Sequence, residues 1–94
     1  MPIEKLAPEL DSIVSANAEI KDLGSGFGGA NGPTEGPLWW KEGGYLLFSD
    51  IHTSRRMKWE TSGDISVFLE PTNQANGLTR DPQGRLLACE HATR

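Results

Sequence analysis

The sequence predicts an all-β chain preceded by a short N-terminal helix, and three observations carry that reading. From residue 34 onward, short apolar or alternating runs are separated by turn signals rich in Gly, Pro and Asp. The runs also recur. At an offset of 40 residues Leu38 meets Leu78, Gly44 meets Gly84, Leu46 meets Leu86, Leu47 meets Leu87 and Thr53 meets Thr93, while Asp50 meets a like charge in Glu90. Finally, 11 Gly and 6 Pro make up 17 of 94 residues, above an average share of about 12%. A four-strand unit recurring at about 40–50 residues is the pattern of a β-propeller blade. The chain has room for about one and a half such blades. Since a propeller needs roughly four to eight, the expectation is an N-terminal piece of something longer.

The elements follow in order. Leu6, Leu10, Ile13 and Val14 share one face at helical spacing, which predicts a short helix in the first 15 residues, with Pro8 tolerated in its first turn. Residues 18–23 alternate well enough for a short outer strand, and residues 24–33 are a Gly-rich loop by composition. The first repeat unit is expected as strands at 37–40, 45–50, 56–60 and 65–69. Lys41-Glu42-Gly43-Gly44 and Thr61-Ser62-Gly63-Asp64 serve as tight turns, and Glu70-Pro71 ends the last strand. A second unit begins with strands at 77–80 and 85–91, joined by Asp81-Pro82-Gln83-Gly84 with Pro at the second turn position. Residues 1–33 are thus helix, outer strand and loop, and residues 34–94 the first blade and the start of the second.

Composition removes several functions. The net charge is −4 and the pI near 5.0, which argues against nucleic acid, whose phosphates need a basic surface. No apolar run approaches the roughly 18–20 residues of a membrane helix, and the acidic first residues do not read as a secretory signal. One cysteine forms no internal disulfide, which fits a reducing compartment and a cytoplasmic location.

Several motifs have both a chemical and a plain reading. Gly24-Ser25-Gly26-Phe27-Gly28-Gly29 matches a dinucleotide fingerprint literally. The following Ala30-Asn31-Gly32-Pro33 cannot open the helix that fingerprint requires, so the segment reads as a loop. Ser49 and Asp50 are adjacent in a strand, point to opposite faces and cannot cooperate in a triad with His52. Cys89 and His91 share a face but are too few for zinc; Cys89 reads as a small buried hydrophobe and His91 as a candidate pocket residue. Trp39, Trp40 and Trp59 read either as a carbohydrate-stacking platform or as packing between blades. Asn76-Gly77 is a turn signal whose place at the start of the second repeat also makes Asn76 a candidate pocket residue. Glu35 sits at the entry to the first repeat strand, before Gly36 and Pro37. It reads either as an ordinary loop acid or as a carboxylate offered to a hard cation.

Taken in order, Thr34-Glu35-Gly36-Pro37-Leu38-Trp39-Trp40, Tyr45-Leu46-Leu47-Phe48-Ser49-Asp50-Ile51, Arg56-Met57-Lys58-Trp59, Val67-Phe68-Leu69-Glu70-Pro71 and the run from Ala75 to His91 resemble the opening of the gluconolactonase family, which includes regucalcin and luciferin-regenerating enzyme. The resemblance covers roughly residues 16–94. It implies a six-bladed β-propeller with a divalent cation, commonly calcium, in its central channel, and hydrolysis of sugar lactones to aldonic acids. It implies a metal-ligand role for Glu35 and substrate-side positions for Asn76 and His91, with the catalytic base and remaining ligands beyond residue 94. It also implies that residues 18–23 pair into the last blade. Two rival readings stand beside it: a binding scaffold with no catalysis, and an independent small β domain.

Overall fold

The computed structural model describes residues 3–29 and 32–93. Six strands carry it: β1 Thr34–Trp40, β2 Tyr45–Asp50, β3 Arg55–Glu60, β4 Ile65–Leu69, β5 Ala75–Arg80 and β6 Leu86–Glu90. β1 to β4 form one antiparallel sheet in chain order, and β5 and β6 form a second. This is the up-and-down topology of successive propeller blades, one of them complete at four strands. β5 packs against β1 and β2, so the first strands of the two sheets are neighbours.

The turns form where local chemistry favours them. The Gly44 N–H donates to the Trp40 carbonyl at 2.9 Å, and Gly44 takes a φ of +67° that a side chain would resist. Between β5 and β6, the Asp81 carboxylate accepts the backbone N–H groups of Gln83 (3.0 Å) and Arg85 (2.8 Å) and pairs with the Arg85 guanidinium. This Asx-type geometry is the reason an Asp-Pro sequence turns so readily. The linker between the sheets is held in the same way. Ser54 has a φ of +57°, and its hydroxyl accepts the N–H groups of Thr72 (3.2 Å) and Gln74 (3.0 Å).

Both strand pairs carry the same irregularity. Between Glu35 and Leu38 in β1, and between Ala75 and Leu78 in β5, two residues oppose one on the partner strand. Each is a β-bulge that releases its residues from the ladder and re-aims them. The register also corrects the simple 40-residue repeat. Leu38 pairs with Leu47, whereas Leu78 pairs with Ala88. The offset is 40 in the first strand of each unit and 41 in the second, because the β5–β6 connection is one residue longer. Glu90 is therefore equivalent to Ser49, and His91 to Asp50.

Other expectations are corrected as well. The N-terminal helix is a 3₁₀ turn, Pro8–Ser12, with no buried residue, where an apolar α-helical face was expected. Leu6 and Ile13 are exposed because no element lies against that face among the described residues. Residues 18–23 form no strand, since a strand needs a ladder partner and none is within reach among the described residues. Residues 24–29 open no helix, and Gly26, Gly28 and Gly29 take positive φ. Cys89 is exposed and free, not buried, because the outer side of β6 carries no further strand among the described residues.

The core is thin. Leu47, Met57 and Ala75 are its buried apolar residues, beside buried Ser49, Asp50, Arg56 and Thr72. The radius of gyration is 15.2 Å, against about 12 Å for a compact domain of this length.

Candidate functional site

The cross-strand rows decide where each aromatic side chain can act. Trp39, Leu46, Trp59 and Ile65 are successive register partners, so they line one face of the first sheet. Leu46, Trp59 and Ile65 of that face, with Phe27, Pro37 and Phe48, line a cavity of about 210 Å³ that Leu23 and Gly24 border, whereas Trp39 lies outside it. Phe27 meets Phe48 edge-on, with centroids 5.2 Å apart. Trp40 occupies the other face, where the Arg80 guanidinium of β5 stacks 4.1 Å from its ring centroid. The three tryptophans are therefore no single stacking platform, and Trp40 packs between sheets.

Arg80 is a clip between the two blades. It reaches both carboxylate oxygens of Glu42 at 2.8 and 3.1 Å and the Gly84 carbonyl at 3.2 Å. Its hydrogen bonds hold the Glu42 carboxyl below the ordinary carboxylate range.

At the opposite end of the strands, the bulges bring the two units into contact. Glu35 is exposed and borders the cavity, whose lining contains no other charged side chain. Gly36 follows it at a φ of +59°, and a Cβ built there would lie under 3.0 Å from the Asn76 carbonyl oxygen. The backbone of Glu35-Gly36 thus touches that of Asn76-Gly77. Ser49, 1% exposed and in register with Glu35, donates its hydroxyl to the same Asn76 carbonyl at 2.6 Å. Ser49 and Asp50 engage different partners, as their alternation requires. Asp50, fully buried, pairs with Arg55 at 2.8 Å, while its other oxygen, Oδ1, has no hydrogen-bond partner among the described residues.

Of the three candidate residues, two are thus joined through backbone and one stands apart. His91 is exposed beyond β6; its N–H donates to the Gln74 carbonyl at 3.2 Å, and it does not line the cavity. Sequence reasoning weighed Ser49 only as a triad member and did not single out Arg56. Arg56 is the register partner of Ser49, and burial lowers the pKa of its guanidinium while the Glu90 charge opposes that shift. Glu90 is itself held low by hydrogen bonds from Thr93 and Asn73. Strand pairing makes Ser49 and Arg56 cross-strand neighbours, but the strand period does not reveal the Asn76 carbonyl that Ser49 meets.

A divalent cation has one suitable donor here. The Glu35 carboxylate would offer a hard oxygen donor at the start of β1, but no group of three His, Cys, Asp or Glu side chains comes together among the described residues. Calcium takes about six to eight oxygens, so Glu35 fits as one ligand of a set that these residues do not complete. No helix is long and apolar enough to cross a membrane among the described residues.

Comparison with known proteins agrees with this architecture. Residues 33–94 match the family model described as SMP-30/Gluconolactonase/LRE-like region. A gluconolactonase of Zymomonas mobilis is 30% identical over an alignment covering 98% of this chain and 28% of that protein. An X-ray structure assigned as a gluconolactonase superposes with a TM-score of 0.72 at 32% identity, covering 90% of this chain and 28% of its own. A gluconolactonase structure from Xanthomonas campestris gives 0.57 at 38% identity, over 61% of this chain and 19% of its own. The chain thus spans about a quarter of the length of the curated relative that it matches, 28%.

Proposed function

Because the chain belongs to the SMP-30/gluconolactonase/LRE-like family, we propose that the polypeptide carrying these strands is a sugar lactonase that hydrolyses an aldonolactone to the aldonic acid with a bound divalent cation, calcium first among candidates. The observation that supports this most is the contact between Glu35-Gly36 and Asn76-Gly77. It brings the backbone that carries Glu35 against the backbone that carries Asn76, at the start of β1 and of β5.

The residues have separable tasks in this reading. Glu35 is a ligand to the cation, which when bound would polarise the lactone carbonyl as a Lewis acid. Asn76 offers amide hydrogen bonds to the sugar hydroxyls, and His91 stands as an outer substrate neighbour. Gly36 and Pro37 fix the direction from which the Glu35 carboxylate is presented. A general base and further oxygen ligands belong to later strands of the whole polypeptide. The cavity that Glu35 borders is about 210 Å³, below the roughly 300–1,000 Å³ of ordinary ligand pockets, and its lining is mostly apolar. The sugar therefore belongs at the bulge contact, not there.

The test is acid release from glucono-δ-lactone, followed by pH-stat on the complete polypeptide. Hydrolysis that EDTA abolishes and calcium restores is the expected result. Lactone binding without turnover would point to a scaffold and contradict the proposal.

A further inference from the structure

The bulges that re-aim Glu35 and Asn76 also remove backbone groups from the ladder, and those groups need other partners. Residues 76 and 77 oppose a single residue of β6 across the bulge. The Asn76 carbonyl is taken instead by a side chain of the other sheet, the Ser49 hydroxyl, at 2.6 Å. Ser49 is 1% exposed, so water does not compete for this bond. The same residue is the register partner of Glu35, one strand away on its own sheet. On the opposite side of the carbonyl lies the Gly36 backbone, close enough that no Cβ fits. Ser49 thus touches both halves of the contact: it pairs with the strand that presents Glu35 and caps the carbonyl of Asn76.

We propose that Ser49 is a positioning residue that locks the bulge of β5 against β1 and so fixes Asn76 beside Glu35. It touches neither substrate nor cation, and it acts through the Asn76 backbone. The inference rests on the proposed function for its catalytic consequence but not for its structural one. With the hydroxyl removed, the Asn76 carbonyl loses the donor that Ser49 supplies. The bulge then shifts to find water. The inner strands stay paired, since the rest of β5 keeps its ladder with β6 from Leu78 onward.

Three variants of the complete polypeptide test this: Ser49→Ala, Ser49→Thr, which keeps a hydroxyl, and Ser66→Ala, which removes an exposed hydroxyl from β4. Amide hydrogen exchange read by mass spectrometry is the first readout. Ser49→Ala should speed exchange across residues 75–78 by about fivefold, the worth of one net hydrogen bond, leaving residues 45–48 unchanged. Ser49→Thr should restore slow exchange, and Ser66→Ala should change nothing. The second readout is glucono-δ-lactone hydrolysis, where Ser49→Ala should raise KM by about fivefold at near-constant kcat. Unchanged exchange in Ser49→Ala, or acceleration spread evenly over both sheets, would overturn the inference. So would an unchanged KM in an active enzyme. If the parent hydrolyses no lactone, the proposed function fails and the exchange result alone decides this inference.

Discussion

At the residue scale, two positions carry more than their size suggests. Gly36 combines a φ of +59° with the Asn76 carbonyl in the space where a Cβ would go, whereas Gly26, at +85°, has open space around it. Alanine at Gly26 suffers conformational strain alone, about 1 kcal/mol. Alanine at Gly36 suffers strain and collision, and should cost about 3 kcal/mol; denaturant unfolding of both variants measures the difference. Equal losses would show that the contact with Asn76 is loose. The second position is Arg55, which neutralises the fully buried Asp50. Arg55→Ala leaves that charge unpaired and should destabilise by about 3 kcal/mol. Adding Asp50→Asn should recover part of the loss, because the buried charge goes with it. The strand entry at Glu35-Gly36-Pro37 was legible in the sequence. Ser49 was not, because its role depends on a carbonyl 27 residues away, a distance that strand periodicity does not reveal.

At the element scale, the strands were readable and the flanking pieces were not. All six strands form where apolar alternation and turn residues place them, to within two or three residues at their ends. The exact repeat was obscured by one extra residue between β5 and β6, visible only through pairing register. Residues 18–23 have strand-like alternation, yet alternation supplies no hydrogen-bond partner, and the segment stays irregular. The same scale sets the pH response. Backbone N–H bonds from Arg85 and its neighbours hold the Asp81 carboxyl below its ordinary 3.8, and Arg80 holds Glu42 below its ordinary 4.5. Depressed carboxyl pKa values favour the folded state while the groups are ionised. Their contribution is complete above those ordinary values and is lost as pH falls through the lowered ones. Unfolding midpoints measured in urea from about pH 6 down to about pH 3 should therefore fall at the acid end. An Asp81→Asn, Glu42→Gln double variant should show a shallower fall; an identical profile would remove these two groups from the acid response.

At the scale of the whole molecule, one sheet of four strands and one of two leave much apolar surface in water. Trp39, Val67, Phe68, Leu69 and Leu87 are each between 43% and 48% exposed. Surface of that kind, on β4 and on the open side of β6, seeks cover. The 94-residue chain by itself should sediment as concentration-dependent aggregates, where a monodisperse monomer with a cooperative thermal transition would mark an independent small β domain. The family could be read from the order of five short motifs, and the match over residues 33–94 bears that out. The proposed reaction is argued from fewer residues, and chiefly from Glu35. The most direct test is calcium titration by calorimetry of the complete polypeptide beside its Glu35→Gln variant, which keeps the side-chain shape and removes the charge. The parent should bind one calcium ion, and the variant should bind it at least about a hundredfold more weakly, with lactone hydrolysis falling in step. Equal affinity in the two proteins would mean that Glu35 is an ordinary loop acid.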